Sequence, residues 1–178
     1  MIRSIRQNDM KNPTMKLRIY GDECLRKKSD PVDGVGPSQR LLFQAMLETM
    51  YANNGIGLAA PQVGINQRFF VADIGEGPLV IVNPKILKVS GQDVMEEGCL
   101  SLPGISVDVK RARTIVVQYQ DADNQTVKRE FQDLLARVIL HETDHLNGKL
   151  ISDYANLLQR LHLRKALNTM RQHRQVVL

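Results

Sequence analysis

The sequence predicts an α+β fold: short, mostly antiparallel strands packed around a central metal-binding helix, followed by a C-terminal helix. Three observations predict it. Short runs rich in Val, Ile and Phe recur between residues 69 and 131, separated by turn residues. One helical stripe, Leu134 and Val138, continues into His141 and His145, so this face should point inward. The chain has 178 residues, 43% hydrophobic and without Trp, which suits one domain with an aliphatic core.

The elements follow in order. Residues 15–37 read as an irregular entry broken at Asp30-Pro31 and Gly36-Pro37. Ser38 is placed to cap a helix running to about Asn54, with Leu41, Leu42, Ala45, Met46, Thr49 and Met50 on its apolar face. Gly55 to Gly64 is a small-residue loop. Phe69 to Ile74 and Leu79 to Val82 read as strands around a Gly75–Pro78 turn, and Ile86 to Val89 as another. Val94 to Leu102 is less regular, whereas Ile105 to Val109 alternates. Thr114–Gln120 and Thr126–Phe131 form the arms of a hairpin around Asp123-Asn124. A helix spans about Asp133 to Asn147, closed by Gly148. A last helix covers about Asn156 to Arg171. The single domain thus divides into an extension (1–14), a catalytic core (15–155) and a basic C-terminal helix (156–178).

Composition narrows the function classes. No apolar run approaches the roughly 18 residues that span a bilayer, and the first 14 residues lack the apolar stretch of a secretory signal. Residues 1–14 leave organelle targeting open as an alternative to a cytoplasmic, bacterial-type location, and Met15 offers a second start. Two cysteines, Cys24 and Cys99, make no disulfide framework and point to a reducing compartment. Net charge is +5, and no acid follows Asp153. The tail, with Arg160, His162, Arg164, Lys165, Arg171, His173 and Arg174, suits either a polyanionic partner or a solvated helix face.

The run His141-Glu142-Thr143-Asp144-His145 carries the chemistry. Positions i and i+4 share a helix face, so both imidazoles reach one cation, and Glu142 lies close enough to handle a proton on water beside it. A catalytic site of this kind needs a third ligand and an open position. The downstream His-x-x-Gly-x-x-His extension fails because Ile151 stands where the ligand would be, and no Glu follows Glu142. Asp153, His162 and His173 remain downstream. Upstream, Cys99 in Glu96-Glu97-Gly98-Cys99-Leu100-Ser101 is the strongest candidate, against the ordinary role of a small buried hydrophobe. Gly55-Ile56-Gly57-Leu58-Ala59-Ala60-Pro61-Gln62 adds glycines that let backbone approach a ligand, and an amide placed to stabilise an oxyanion.

Together, Gly55–Gln62, Glu97–Ser101 and His141–His145 resemble the peptide deformylase family over about residues 15–155. The resemblance implies removal of the N-formyl group from the formyl-methionine of nascent polypeptides, with release of formate. It implies one divalent ion, Fe(II) favoured and Zn, Ni or Co possible, held by Cys99, His141 and His145. Glu142 would be the general acid/base, Gln62 and the Leu100 N–H would hold the oxyanion, and the Gly57 backbone would pair with the substrate. Ile56, Leu134 and Val138 are candidates for the methionine pocket, with core packing as their competing role. It further implies that Glu97 and Arg111 pair to fix the Cys99 strand, while Asp144 is a candidate acceptor for His145 or a solvated carboxylate. Two departures bear on peptide preference: Gly104-Ile105-Ser106 lacks an arginine that some relatives carry there, and Arg137 replaces an apolar residue of some relatives. The basic last helix would dock at the ribosome. The alternatives are a metal-dependent endopeptidase with a different third ligand, and a non-catalytic ribosome-binding module with a structural metal.

Overall fold

The computed structural model describes residues 14–175, with side chains described to Gln172, so nearly all of the 1–14 extension lies outside the described residues. A 3-10 turn, Glu23–Arg26, interrupts the irregular entry. Helix α1 spans Pro37–Ala52. It begins one step before the expected cap: Gly36 is the N-cap, with its N–H on Gln39 Oε1 at 3.2 Å, and Pro37 occupies the first turn, where its missing N–H costs nothing. Ser38 is therefore inside the helix. Phe43, Met46, Thr49 and Met50 form its buried face, whereas Leu41 is exposed, because the stripe is centred one position later than the sequence pattern placed it.

Five strands form the main sheet, every neighbour antiparallel, in the order β1 (Gly57–Ala59), β2 (Phe69–Ala72), β3 (Leu79–Ser90), β6 (Thr114–Gln120) and β7 (Thr126–Gln132). The small-residue loop contributes β1, Gly57–Ala59, and a 3-10 turn, Ala60–Val63. Strand β2 is Phe69–Ala72. Strand β3, Leu79–Ser90, joins what the sequence separates into two strands. Asn83 takes a left-handed φ of 51° beside Pro84, and the register with β6 shifts between Val82 and Lys85. The strand thus accommodates its proline in a bulge rather than ending there. Asn83 is also held by its side chain, which receives the Val32 N–H and donates to the Val32 carbonyl. Strands β6 (Thr114–Gln120) and β7 (Thr126–Gln132) form the expected hairpin, with Asn124 left-handed in its turn.

A separate two-stranded ribbon pairs β4 (Asp93–Gly98) with β5 (Ser106–Arg111). The sequence signal for β4 is weak because Glu97 is its only buried residue. Helix α2, Asp133–Leu146, lies against the sheet and buries Leu135, Ala136, Val138, Ile139 and Leu146 with Phe70, Ile81, Ile115 and Val117. Leu134 departs from the inward stripe and is 42% exposed at the start of the helix. At the other end Asn147 is the C-cap and Gly148 takes φ 72°, where an added Cβ would lie 2.5 Å from the Arg26 carbonyl. Only glycine combines that dihedral with that approach. Helix α3, Leu157–Gln175, runs one turn past the expected end. Asn156 and Gln159 cap it reciprocally, at 2.9 and 3.0 Å. Leu163, Leu167 and Met170 pack on a cluster containing Leu25, Leu102 and Ile151, while Leu157, Leu158 and Leu161 are exposed. Among the described residues no helix is long and apolar enough to cross a membrane.

Candidate metal centre

Helix α2 carries His141 and His145 one turn apart, and the end of β4 carries Cys99 to them. The ligand atoms of these three residues lie within 4.8 Å of one another. Cys99 Sγ is 3.2 Å from His145 Nε2. The imidazole rings stand 5.0 Å apart at 65°. The donor set fits a divalent ion. His141 Nδ1 sits 2.9 Å from Glu97 Oε2, which leaves Nε2 for the cluster. The two imidazoles are also driven in opposite directions. Burial lowers His141, but its hydrogen bonds to Cys99 and Glu97 outweigh that and push it up to about 10. Burial and the charge on His141 hold His145 well below its ordinary value.

Two of the three downstream ligand candidates do not reach this place. Asp153 is bonded to Arg26 at 2.6 and 3.0 Å, and His162 is exposed with Nδ1 on the Leu158 carbonyl. The side chain of His173 lies outside the described residues. An endopeptidase with a third ligand other than Cys99 therefore finds no such ligand among the described side chains.

Glu142 is 3% exposed, and its Oε2 has no hydrogen-bond partner among the described residues. Burial pushes this carboxyl up to about 7, against the lowering effect of His141 and Arg111. Its other oxygen lies against the α-carbon of Gly57: a Cβ added there would overlap the carboxylate. Gly57→Ala should therefore displace Glu142 and lower kcat/KM about 100-fold, the scale for misplacing a reacting group by roughly 1 Å. Steady-state kinetics check this, with unchanged metal content as the control.

Gln62 is 1% exposed and fixed at both ends of its amide. Oε1 accepts the Ala59 N–H at 2.8 Å, so Nε2 turns toward Ser101 Oγ at 3.2 Å and Cys99 Sγ at 3.6 Å. Satisfying the backbone with Oε1 thus orients the Nε2 donor. Leu100 directly follows Cys99 and packs against the α1 side of the core. Val138 is buried in the core, whereas Ile56 is 44% exposed.

A carboxylate–guanidinium clasp holds the ribbon to the helix. Arg111 bonds Glu97 through Nε at 2.6 Å and Nη2 at 2.9 Å, as the resemblance implied. Glu97 also receives Arg137 Nη1 at 2.7 Å. Sequence reasoning missed the Glu97 contact to His141 and the Arg137 contact. The charged Arg137 within the otherwise apolar run 134–140 is the available signal for a buried acid opposite. Asp144 is not the acceptor for His145: it takes Arg111 Nη1 at 2.8 Å and the Tyr154 hydroxyl at 2.7 Å. It points away from His145 because adjacent residues on a helix face different directions. His145 Nδ1 is buried without a hydrogen-bond partner among the described residues.

Comparison with known proteins points to one family. A family model for polypeptide deformylase matches residues 14–161. The peptide deformylase of Thermotoga maritima is 47% identical over 153 residues, covering 85% of this chain and 93% of its own. Two solved structures are similar in fold. A peptide deformylase from Synechococcus elongatus in complex with actinonin is 40% identical at TM-score 0.83, covering 96% of this chain and 92% of its own. One from Plasmodium falciparum is 30% identical at TM-score 0.87, covering 91% and 98%. Sequence match, fold and donor cluster converge: the chain belongs to the polypeptide deformylase family, metal-dependent hydrolases that act on N-formyl-methionine peptides.

Proposed function

We propose that deformylation in this chain runs on Glu142 as the proton carrier, with Cys99, His141 and His145 as the metal ligands and Fe(II) as the favoured ion. The observation that carries this reading is a buried carboxylate with one unpartnered oxygen beside three converging donors. A divalent cation bound there supplies Lewis-acid activation of water and of the formyl oxygen. Glu142 accepts the proton of the attacking water and delivers it to the departing amine, which completes formate release. Gln62 Nε2 and the Leu100 N–H donate to the developing oxyanion. The Gly57 backbone pairs with the peptide, and a narrow site near Gly57 admits formyl but not larger acyl groups. Ile56, Leu134 and Val138 are the candidates for the methionine pocket, with Val138 also packed in the core beside Phe70 and Ile81. Zn, Ni or Co can take the same ligands, since a thiolate and two imidazoles do not choose among them.

One domain, acting in a reducing, bacterial-type cytoplasm, carries the activity; no disulfide joins Cys24 and Cys99. The test is formate release from a formyl-methionyl peptide by anaerobically prepared protein. Cys99→Ser should lose both bound metal and turnover. Loss of wild-type activity on exposure to air supports Fe(II), through oxidation of the ion or of Cys99. Retained metal and turnover in Cys99→Ser would remove the thiolate from the ligand set.

The basic α3 is proposed to dock at the ribosome, where nascent substrate emerges. Arg160, Arg164, Lys165 and Arg171 are exposed, and the helix contains no acid. Reversing Arg164 and Lys165 to Glu should abolish co-sedimentation with ribosomes at low salt while leaving turnover of a short peptide unchanged. Unchanged co-sedimentation would discard the docking surface.

A further inference from the structure

Glu97 is shared more widely than pairing with one arginine requires. Oε1 accepts Arg111 Nε at 2.6 Å and Arg137 Nη1 at 2.7 Å; Oε2 accepts Arg111 Nη2 and faces His141 Nδ1, both at 2.9 Å. Arg111 is divided, because its Nη1 serves Asp144. The buried cluster therefore holds two carboxylates against two guanidiniums, and Arg137 supplies the second positive charge. Arg137 is 6% exposed and held on both sides of the ribbon, donating to the Val109 carbonyl at 2.9 Å and the Asp93 carbonyl at 3.1 Å. It stands one turn before His141 on the same helix.

We propose that Arg137 is a positioning residue that limits electron donation from His141 to the bound cation, by drawing on the Glu97 carboxylate that both residues share. This rests on His141 being a metal ligand, as set out above. A carboxylate that accepts the far N–H of a ligand imidazole makes that imidazole a stronger donor. A guanidinium on the same carboxylate draws its charge away through a charge-assisted hydrogen bond. With Arg137 present, Glu97 still fixes the tautomer and orientation of His141 but pulls less on its proton. The imidazole then gives less charge to the cation, which keeps more of its pull on the formyl oxygen. A neutral residue at position 137 leaves one net negative charge beside the ligand and reverses this balance.

The test compares full-length Co(II)-loaded wild type with Arg137→Gln, which keeps a donor without the charge, and Arg137→Lys, which keeps the charge. Three quantities are read: the visible Co(II) absorption bands, metal affinity by chelator competition, and kcat separately from KM on a formyl-methionyl peptide. Arg137→Gln should shift the Co(II) bands and lower kcat about tenfold. It should leave KM within about twofold of wild type and hold metal at least as tightly. Arg137→Lys should return the bands and kcat toward wild type. An unshifted Co(II) spectrum in Arg137→Gln, or weaker metal binding with equal losses in both variants, would overturn the proposal. So would loss of folded protein in both, since a structural role would then suffice. Absence of formate release by the wild type would instead undo the assigned reaction, while the Co(II) bands would still report on Arg137.

Discussion

Glu142→Gln should lower kcat by about 10²–10⁴-fold, the contribution of a positioned acid/base, while metal content and KM stay close to wild type. The same variant should be more stable than wild type. Burial raises the Glu142 carboxyl from 4.5 to about 7, so the folded state binds its proton more tightly than the unfolded chain does. A raised acid contributes stability below the unfolded value and loses it as pH rises through the folded one. At pH 8 the charged, buried carboxylate is at its most costly, on the order of 3 kcal/mol. Glutamine carries no such charge. Thermal melts of metal-stripped protein should show Glu142→Gln gaining more at pH 8 than at pH 5. Equal melting temperatures at both values would mean that Glu142 is hydrated, which would weaken its role as a dry proton carrier.

The second large effect is expected at Glu97. Glu97→Gln leaves Arg111 buried with Asp144 as its remaining carboxylate, and Arg137 with only half-exposed Asp93 at 3.9 Å, and breaking such a cluster costs about 3–5 kcal/mol. The cost should depend on pH in the opposite sense to Glu142. Burial raises Glu97, but the hydrogen bonds from His141 and Arg111 outweigh it and bring the carboxyl to about 2. A depressed acid stabilises the fold above its unfolded value, here 4.5, and that contribution disappears as pH falls through about 2. Urea midpoints taken across pH 5 to 2 should therefore fall steeply for wild type and less steeply for Glu97→Gln. Parallel slopes would show that the clasp does not hold the ribbon.

The reactive groups were legible because their chemistry is tied to local spacing. His141 and His145 are one helical turn apart, Glu142 lies between them, and Gln62 sits in a short segment whose glycines, Gly55 and Gly57, mark close approach. Cys99 was reached by noting a missing ligand rather than by its own signal. The partners of those groups were less legible, because they meet across the chain. Glu97 and His141 are 44 residues apart, and nothing in either neighbourhood specifies the other. Asp144 illustrates the same limit: adjacency to His145 in sequence turns it to a different face of α2, toward Arg111 and Tyr154. In the fold, β3 reads as two strands because Pro84 interrupts the pattern, and only the cross-strand register shows that the strand bulges and continues. Leu41 and Leu134 depart for a simpler reason: the buried faces of α1 and α2 run through neighbouring positions, Phe43 and Leu135.

The ribbon that carries Cys99 stands outside the main sheet, and charge rather than oily surface clamps its inner edge to α2. Ion pairs and apolar contacts answer differently to heat: the desolvation cost of a buried pair shrinks on warming, while the gain per unit of apolar area levels off. As the temperature climbs, the fastening at the thiolate should therefore loosen later than the aliphatic layers around it, so that the cation is among the last things this molecule surrenders.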